Sequence, residues 1–144
     1  MTQENKELLL KDLCARLPYN TKFRYEYKDS FGRTAYSTSI ITGIRFPNYV
    51  EHCLFTGTDY LHIEKDVVKP YLFPLSSITI EQEKELSKLG VSYGEYALHD
   101  DIRGLGIMVD EAYIFFEFCY KHHIDFLGLI EMGSAIDATG LNIY

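Results

Sequence analysis

The chain has 144 residues, of which 47% are hydrophobic, 15% aromatic and 24% charged, and these values exclude a disordered or low-complexity protein. Its length suits one domain, which buries roughly 68–70% of its unfolded surface and folds without a disulfide or metal. The three cysteines Cys14, Cys53 and Cys119 show no CxxC spacing and argue against a secreted disulfide framework, while the net charge of −7 makes nucleic acid an unfavoured partner.

That charge is unevenly placed. Residues 1–74 carry ten basic against nine acidic side chains, whereas residues 75–144 carry four against twelve. An acidic half either serves as a solvated face or receives a basic protein partner. The opening run Met1-Thr2-Gln3-Glu4-Asn5-Lys6-Glu7 is too polar for a signal peptide, and no stretch approaches 18 uninterrupted apolar residues. The expected setting is cytoplasmic, with no membrane partner.

In chain order, residues 3–17 read as an amphipathic helix with Leu9, Leu10, Leu13, Cys14 and Leu17 inward. Lys6, Glu7, Lys11, Asp12 and Arg16 fall outside, and Pro18 ends the helix. The period then shortens to two. Phe23, Tyr25 and Tyr27 alternate with Lys22, Arg24, Glu26 and Lys28 as in a half-buried antiparallel strand. After the turn at Asp29-Ser30-Phe31-Gly32, a second strand carries Tyr36, Ile40, Ile44 and Phe46 on one parity. Short strands at 49–55 and 60–64 complete a meander of four to five antiparallel strands spanning residues 19–68. The segment Lys69-Pro70-Tyr71-Leu72-Phe73-Pro74-Leu75 holds two prolines and reads as an extended connector over residues 69–78, outside any central strand.

The remainder, 79–144, reads as helical. Thr79 and Gln82 form a capping box for a helix that stops at Gly90. A glycine-containing loop leads into a second helix at 108–122, apolar nearly all round and therefore a core helix or a surface for homo-oligomerisation. Asp125 reads as the N-cap of a third, short helix, with Ile124 and Leu129 as its hydrophobic staple. The fold class is α+β: an N-terminal helix, the meander, then about three helices, all in one domain.

No motif compels a chemistry. Cys119, His122 and His123 stand at i, i+3 and i+4, a spacing that would pair a thiol with an imidazole or supply two metal ligands. The plainer reading is a core cysteine beside histidines at a helix C-terminus. His99-Asp100-Asp101 matches the two-residue metal step of His-Asp phosphohydrolases, although those surround it with further ligands on helices. Cys53 or His52 opposite His62 would begin a metal site, and Arg103-Gly104-Leu105-Gly106 would offer an anion a helix N-terminus. Lys22, Arg24, Lys28 and Arg33 interleave with Phe23, Tyr25, Tyr27 and Phe31, but alternation sets the strand charges and these aromatics on opposite faces.

Three patches carry a resemblance: Lys11-Asp12-Leu13-Cys14-Ala15-Arg16-Leu17-Pro18-Tyr19, Lys69-Pro70-Tyr71-Leu72-Phe73-Pro74-Leu75-Ser76-Ser77-Ile78 and Ile124-Asp125-Phe126-Leu127-Gly128-Leu129-Ile130-Glu131. Together they resemble a family of small proteins of gut Bacteroidales, their phages and mobile elements, to which no activity is attached. Members tend to read Asp-Tyr-Arg-Gly-Leu-Ile where this chain has Asp125-Phe126-Leu127-Gly128-Leu129-Ile130, so any function of that arginine is missing here. The resemblance implies a bacterial or phage cytoplasm and nothing catalytic, and no cofactor is expected.

The leading expectation is a non-enzymatic accessory or protein-interaction module. A small metal-dependent hydrolase built on His99, Asp100, Cys119, His122 and His123 is the first alternative. Single-stranded nucleic-acid binding by the 22–33 hairpin is the second.

Overall fold

The computed structural model describes residues 2–45, 49–54, 57–62, 68–91 and 109–144. Helix α1 (Gln3–Ala15) starts at Thr2, whose side chain accepts from the Asn5 N–H, and passes through a short 3-10 turn at Leu17–Tyr19. Strands β1 (Lys22–Lys28), β2 (Thr34–Arg45), β3 (Tyr49–Leu54) and β4 (Gly57–His62) follow as a continuous antiparallel meander. Beyond β5 (Lys69–Pro74) come α2 (Ile80–Lys88), α3 (Val109–Lys121) and the two-residue strands β6 (Ile124–Asp125) and β7 (Ile136–Asp137). The sheet order is β4-β3-β2-β1-β5-β6, with β7 also paired to β5.

Helix α1 lays Leu9 and Leu13 on the sheet face that carries Phe23, Ile41 and Val50, and these residues form one buried cluster. A second cluster joins α2 and α3 to the end of the sheet through Leu86, Phe115, Phe118, Cys119, Ile124 and Phe126. The capping box at Thr79 is present in both directions, and Gly90, at φ of 89°, ends the helix as its lack of a side chain allows.

Several expectations are corrected. Asp12 and Arg16, expected outside α1, are fully buried, and Lys6 is nearly so. Arg16 Nε donates to Asp12 Oδ2 at 2.7 Å, while its two terminal nitrogens donate to the carbonyls of Cys119 (3.4 Å) and Ile124 (2.8 Å). Its guanidinium also lies 5.1 Å from the Tyr120 ring centroid. Arg16 thus satisfies one carbonyl in the last turn of α3, which the helix itself cannot, and one in β6. Burial pushes the Asp12 carboxyl above its ordinary range, with the adjacent Arg16 charge acting in the opposite direction.

The expected connector begins as strand β5, inside the sheet. It shares its length among three partners: Lys69 and Pro70 face β1, Tyr71 and Leu72 face β7, Phe73 and Pro74 face β6. Both prolines lie near strand ends, where a missing N–H interrupts little pairing. The expected third C-terminal helix is a compact turn. Asp125 caps it, accepting from the N–H groups of Leu129 (2.9 Å) and Ile130 (2.7 Å), so the residue type was informative and the element was not. The apolar run of α3 is partly covered: Phe115, Phe118 and Cys119 are buried, whereas Tyr113 is exposed.

Finally, β2 does not keep one parity. A register shift between Ile41 and Gly43 inserts a bulge, so Ile41 and Ile44 both reach the inner side while Tyr36 and Ile40 face outward. The β3–β4 register sets Tyr49 opposite His62 and His52 opposite Asp59, so neither Cys53 nor His52 faces His62.

Candidate functional surface

The alternative catalytic cluster of Cys119, His122 and His123 separates at the end of α3. Cys119 is fully buried and desolvation pushes its thiol up to about 12, so it offers no nucleophilic thiolate. His122 Nε2 lies 3.2 Å from Glu85 Oε2, and its ring packs on Phe118 at 4.4 Å. His123, in the left-handed region at φ of 57°, turns elsewhere: its Nδ1 lies 3.3 Å from Thr21 Oγ1 and its ring stacks on Tyr144 at 3.8 Å. Burial, then the nearby Arg16 charge, lowers its pKa to about 4. Asp125 is engaged in its turn. No group of three or more His, Cys, Asp or Glu able to hold a metal occurs among the described residues. His99, Asp100, Asp101 and the Arg103–Gly106 stretch lie outside them.

A groove of about 280 Å³ runs between α2 and α3, floored by Leu89, Ile114 and Phe118. Its polar groups are already paired with one another. Lys121 donates to Glu85 at 2.8 Å and the Tyr19 hydroxyl donates to Glu117 at 2.7 Å. The hydrogen bond to Lys121 lowers the Glu85 pKa, and that to Glu117 raises the Tyr19 pKa.

The opposite, outer face of the meander is different in kind. Alternation from the buried Phe23, Ile41, Val50 and His52 assigns Lys22, Arg24, Glu26 and Lys28 of β1 to this side. Cross-strand register adds Thr34, Tyr36, Thr38 and Ile40 of β2, and Lys69 of β5 opposite Arg24. Past the bulge come Gly43 and Arg45 with their partners Glu51 and Tyr49, then Tyr60. Tyr36 (57%), Tyr60 (43%), Tyr49 (38%) and Ile40 (37%) are open to solvent. The Arg24 guanidinium sits 4.8 Å from the Tyr36 ring centroid and that of Arg45 sits 5.1 Å from Tyr60. Each pairing holds a charge on an aromatic plate without removing it from water.

The expectation that the strand charges lie opposite Phe23, Tyr25 and Tyr27 therefore holds, and across the hairpin β2 supplies a further aromatic, Tyr36, to the charged side. The register was the missing signal: with Lys28 opposite Thr34, even-numbered residues of both strands share a face. His52, weighed as a ligand, belongs to the inner side, packed on Phe23 (5.8 Å) and Tyr25 (5.1 Å).

At one end the face is closed by Tyr144. Its hydroxyl accepts from the Lys22 N–H (3.1 Å) and donates to the Tyr71 carbonyl (2.8 Å), bridging β1 and β5 just past their last paired residues. Lys22 Nζ donates to the Ile143 carbonyl beside it. No helix among the described residues is long and apolar enough to cross a membrane. No family model, no curated protein and no solved structure matches this chain.

Proposed function

We propose that the protein is a non-enzymatic interaction module that binds a protein partner across the outer face of its sheet, in the bacterial or phage cytoplasm that its sequence patches imply. The observation that carries this reading is the contrast on one sheet. The inner side buries Phe23, Ile41, Val50 and His52 and opens toward Tyr27 at the end of β1, while the outer side presents four large apolar side chains and arginines held over two of them. Tyr and Arg are the residues enriched where proteins meet, since Tyr brings area at low entropic cost and Arg brings a planar fork of hydrogen-bond donors. The polar clusters described above are engaged internally and leave no convergent constellation for catalysis among the described residues.

The presence of Tyr36 on the charged side also supports a second reading, single-stranded nucleic-acid binding by stacking on a basic sheet. Glu26 and Glu51 stand inside the same face and oppose a phosphate backbone, so the protein partner is preferred.

The test places a photo-cross-linking side chain at Tyr36 and, as control, at the exposed Glu131, in the cells that make the protein. A discrete protein adduct from position 36 and none from 131 is the expected result. Loss of specificity between the two positions, or no protein adduct at 36, overturns the reading.

A further inference from the structure

Resting on that reading, the geometry points to an extended acidic peptide with an apolar centre as the segment of partner that the outer face takes. The first argument is charge. On a chain of net charge −7, this face gathers five cations, Lys22, Arg24, Lys28, Arg45 and Lys69, against the carboxylates of Glu26 and Glu51. None of the five forms an ion pair among the described residues; the pairs present involve Arg16, Arg33, Lys121 and His122. A positive island on an otherwise acidic molecule attracts an acidic segment.

The second argument is spacing. Arg24 lies opposite Thr38, and Arg45 ends the same strand β2. The two arginines therefore stand about 20 Å apart along β2, at about 3.3 Å per residue with an allowance for the bulge. Between them the strand presents exposed Ile40, flanked by Thr38 and Thr42, whose hydroxyls meet the Tyr71 hydroxyl and the Glu51 carboxylate. An extended chain of about seven residues covers that length, with a carboxylate for an arginine at either end and an apolar side chain over Ile40. Because each guanidinium already rests on a tyrosine, its fork is oriented before the partner arrives, which reduces the ordering cost of a carboxylate pair.

The discriminating experiment titrates the intact protein with three labelled probes. These are the peptide Glu-Ser-Gly-Leu-Gly-Ser-Glu, the same peptide with Gln for both Glu, and an oligothymidylate of matching length. The acidic peptide is expected to bind at least tenfold more tightly than its Gln version, with affinity falling as salt rises from about 0.05 to 0.5 M. Arg24→Ala and Arg45→Ala each weaken it about three- to tenfold, whereas Arg24→Lys, which keeps the charge and loses the planar fork, recovers part of the loss. Equal binding of the Gln peptide, no binding of either peptide, or tighter binding of the oligothymidylate overturns the acidic-peptide assignment. Such a failure with the cross-link at position 36 intact leaves the surface reading standing, while loss of that cross-link removes the surface itself.

Discussion

The two sides of the β1–β4 meander are built from neighbouring residues and obey opposite rules. In β3, Val50 is fully buried against α1 and the inner cluster, and the next residue, Glu51, points outward beside Gly43 and Thr42. In β1, Phe23 is sealed under the helix while Arg24 rests on an open tyrosine. The inner side gains stability by excluding water from apolar surface and fixes the register of every strand, since a slip of one residue would turn its apolar set outward. The outer side is packed toward β5, where Tyr71 is buried with its hydroxyl 3.4 Å from that of Thr38, and from Tyr36 and Ile40 across to Tyr49 and Tyr60 it is open. Its Arg, Tyr and Thr residues are unexplained by stability, which is the physical reason for assigning them to recognition.

The comparison is broken most severely at a buried charge. Arg16 is a fully buried cation, holding Asp12, the Cys119 carbonyl in the last turn of α3 and the Ile124 carbonyl in β6. Arg16→Met leaves a carboxylate buried without its charge partner and carbonyls without donors, and should lower unfolding free energy by about 3–5 kcal/mol. Urea unfolding measures this, and a loss below about 1 kcal/mol would show that the site rearranges to let water in. Adding Asp12→Leu to that variant should restore part of the loss, because the uncompensated acid is then gone.

A pair of adjacent substitutions sharpens the same contrast. Val50→Ala removes two buried methyl groups and should cost about 2 kcal/mol, whereas Glu51→Ala on the outer side should stay within about 0.5 kcal/mol. The pair is read from one denaturation series. Equal costs would mean that the outer face is packed against something, and would remove the basis for treating it as a free surface.

The two sides also differed in how legible they were. The helix α1, the four-strand meander and the capped start of α2 follow from periodicity and capping residues, because each is a local consequence of side chains repeating at 3.6 or 2. What failed was non-local. Arg16 and Asp12 form an i,i+4 pair that is indistinguishable in sequence from a solvated surface pair; only the arrival of α3, more than a hundred residues later, buries them. Strand β5 was hidden by its prolines because their tolerance depends on three separate partners dividing six residues. On the outer face, the residue types were visible from the start, but Tyr36 joins Arg24 only through the hairpin register. Arg45 joins Tyr60 only after a bulge that no residue pattern announced.

A smaller, pH-dependent effect lies where the two sides meet. His123 stacks on Tyr144 next to the β1–β5 seam, and desolvation together with the charges of Arg16, His122 and Lys22 lowers its pKa from 6.5 to about 4. The unfolded chain therefore takes up a proton near pH 6.5 that the folded chain accepts only near pH 4. Stability from this residue is complete above about pH 6.5, is lost as pH falls toward 4, and changes no further below that. The full linkage would approach 2 kcal/mol between pH 7 and 5, and because the imidazole keeps contact with solvent the expected loss is about 1 kcal/mol. His123→Asn removes the titration while keeping a side chain at ease with φ of 57°. Denaturation of both proteins at the two pH values cancels the carboxylates they share. A steeper loss in the parent chain places the buried edge of the core at His123, whereas parallel slopes would put the imidazole in water and extend the open face around that end of the sheet.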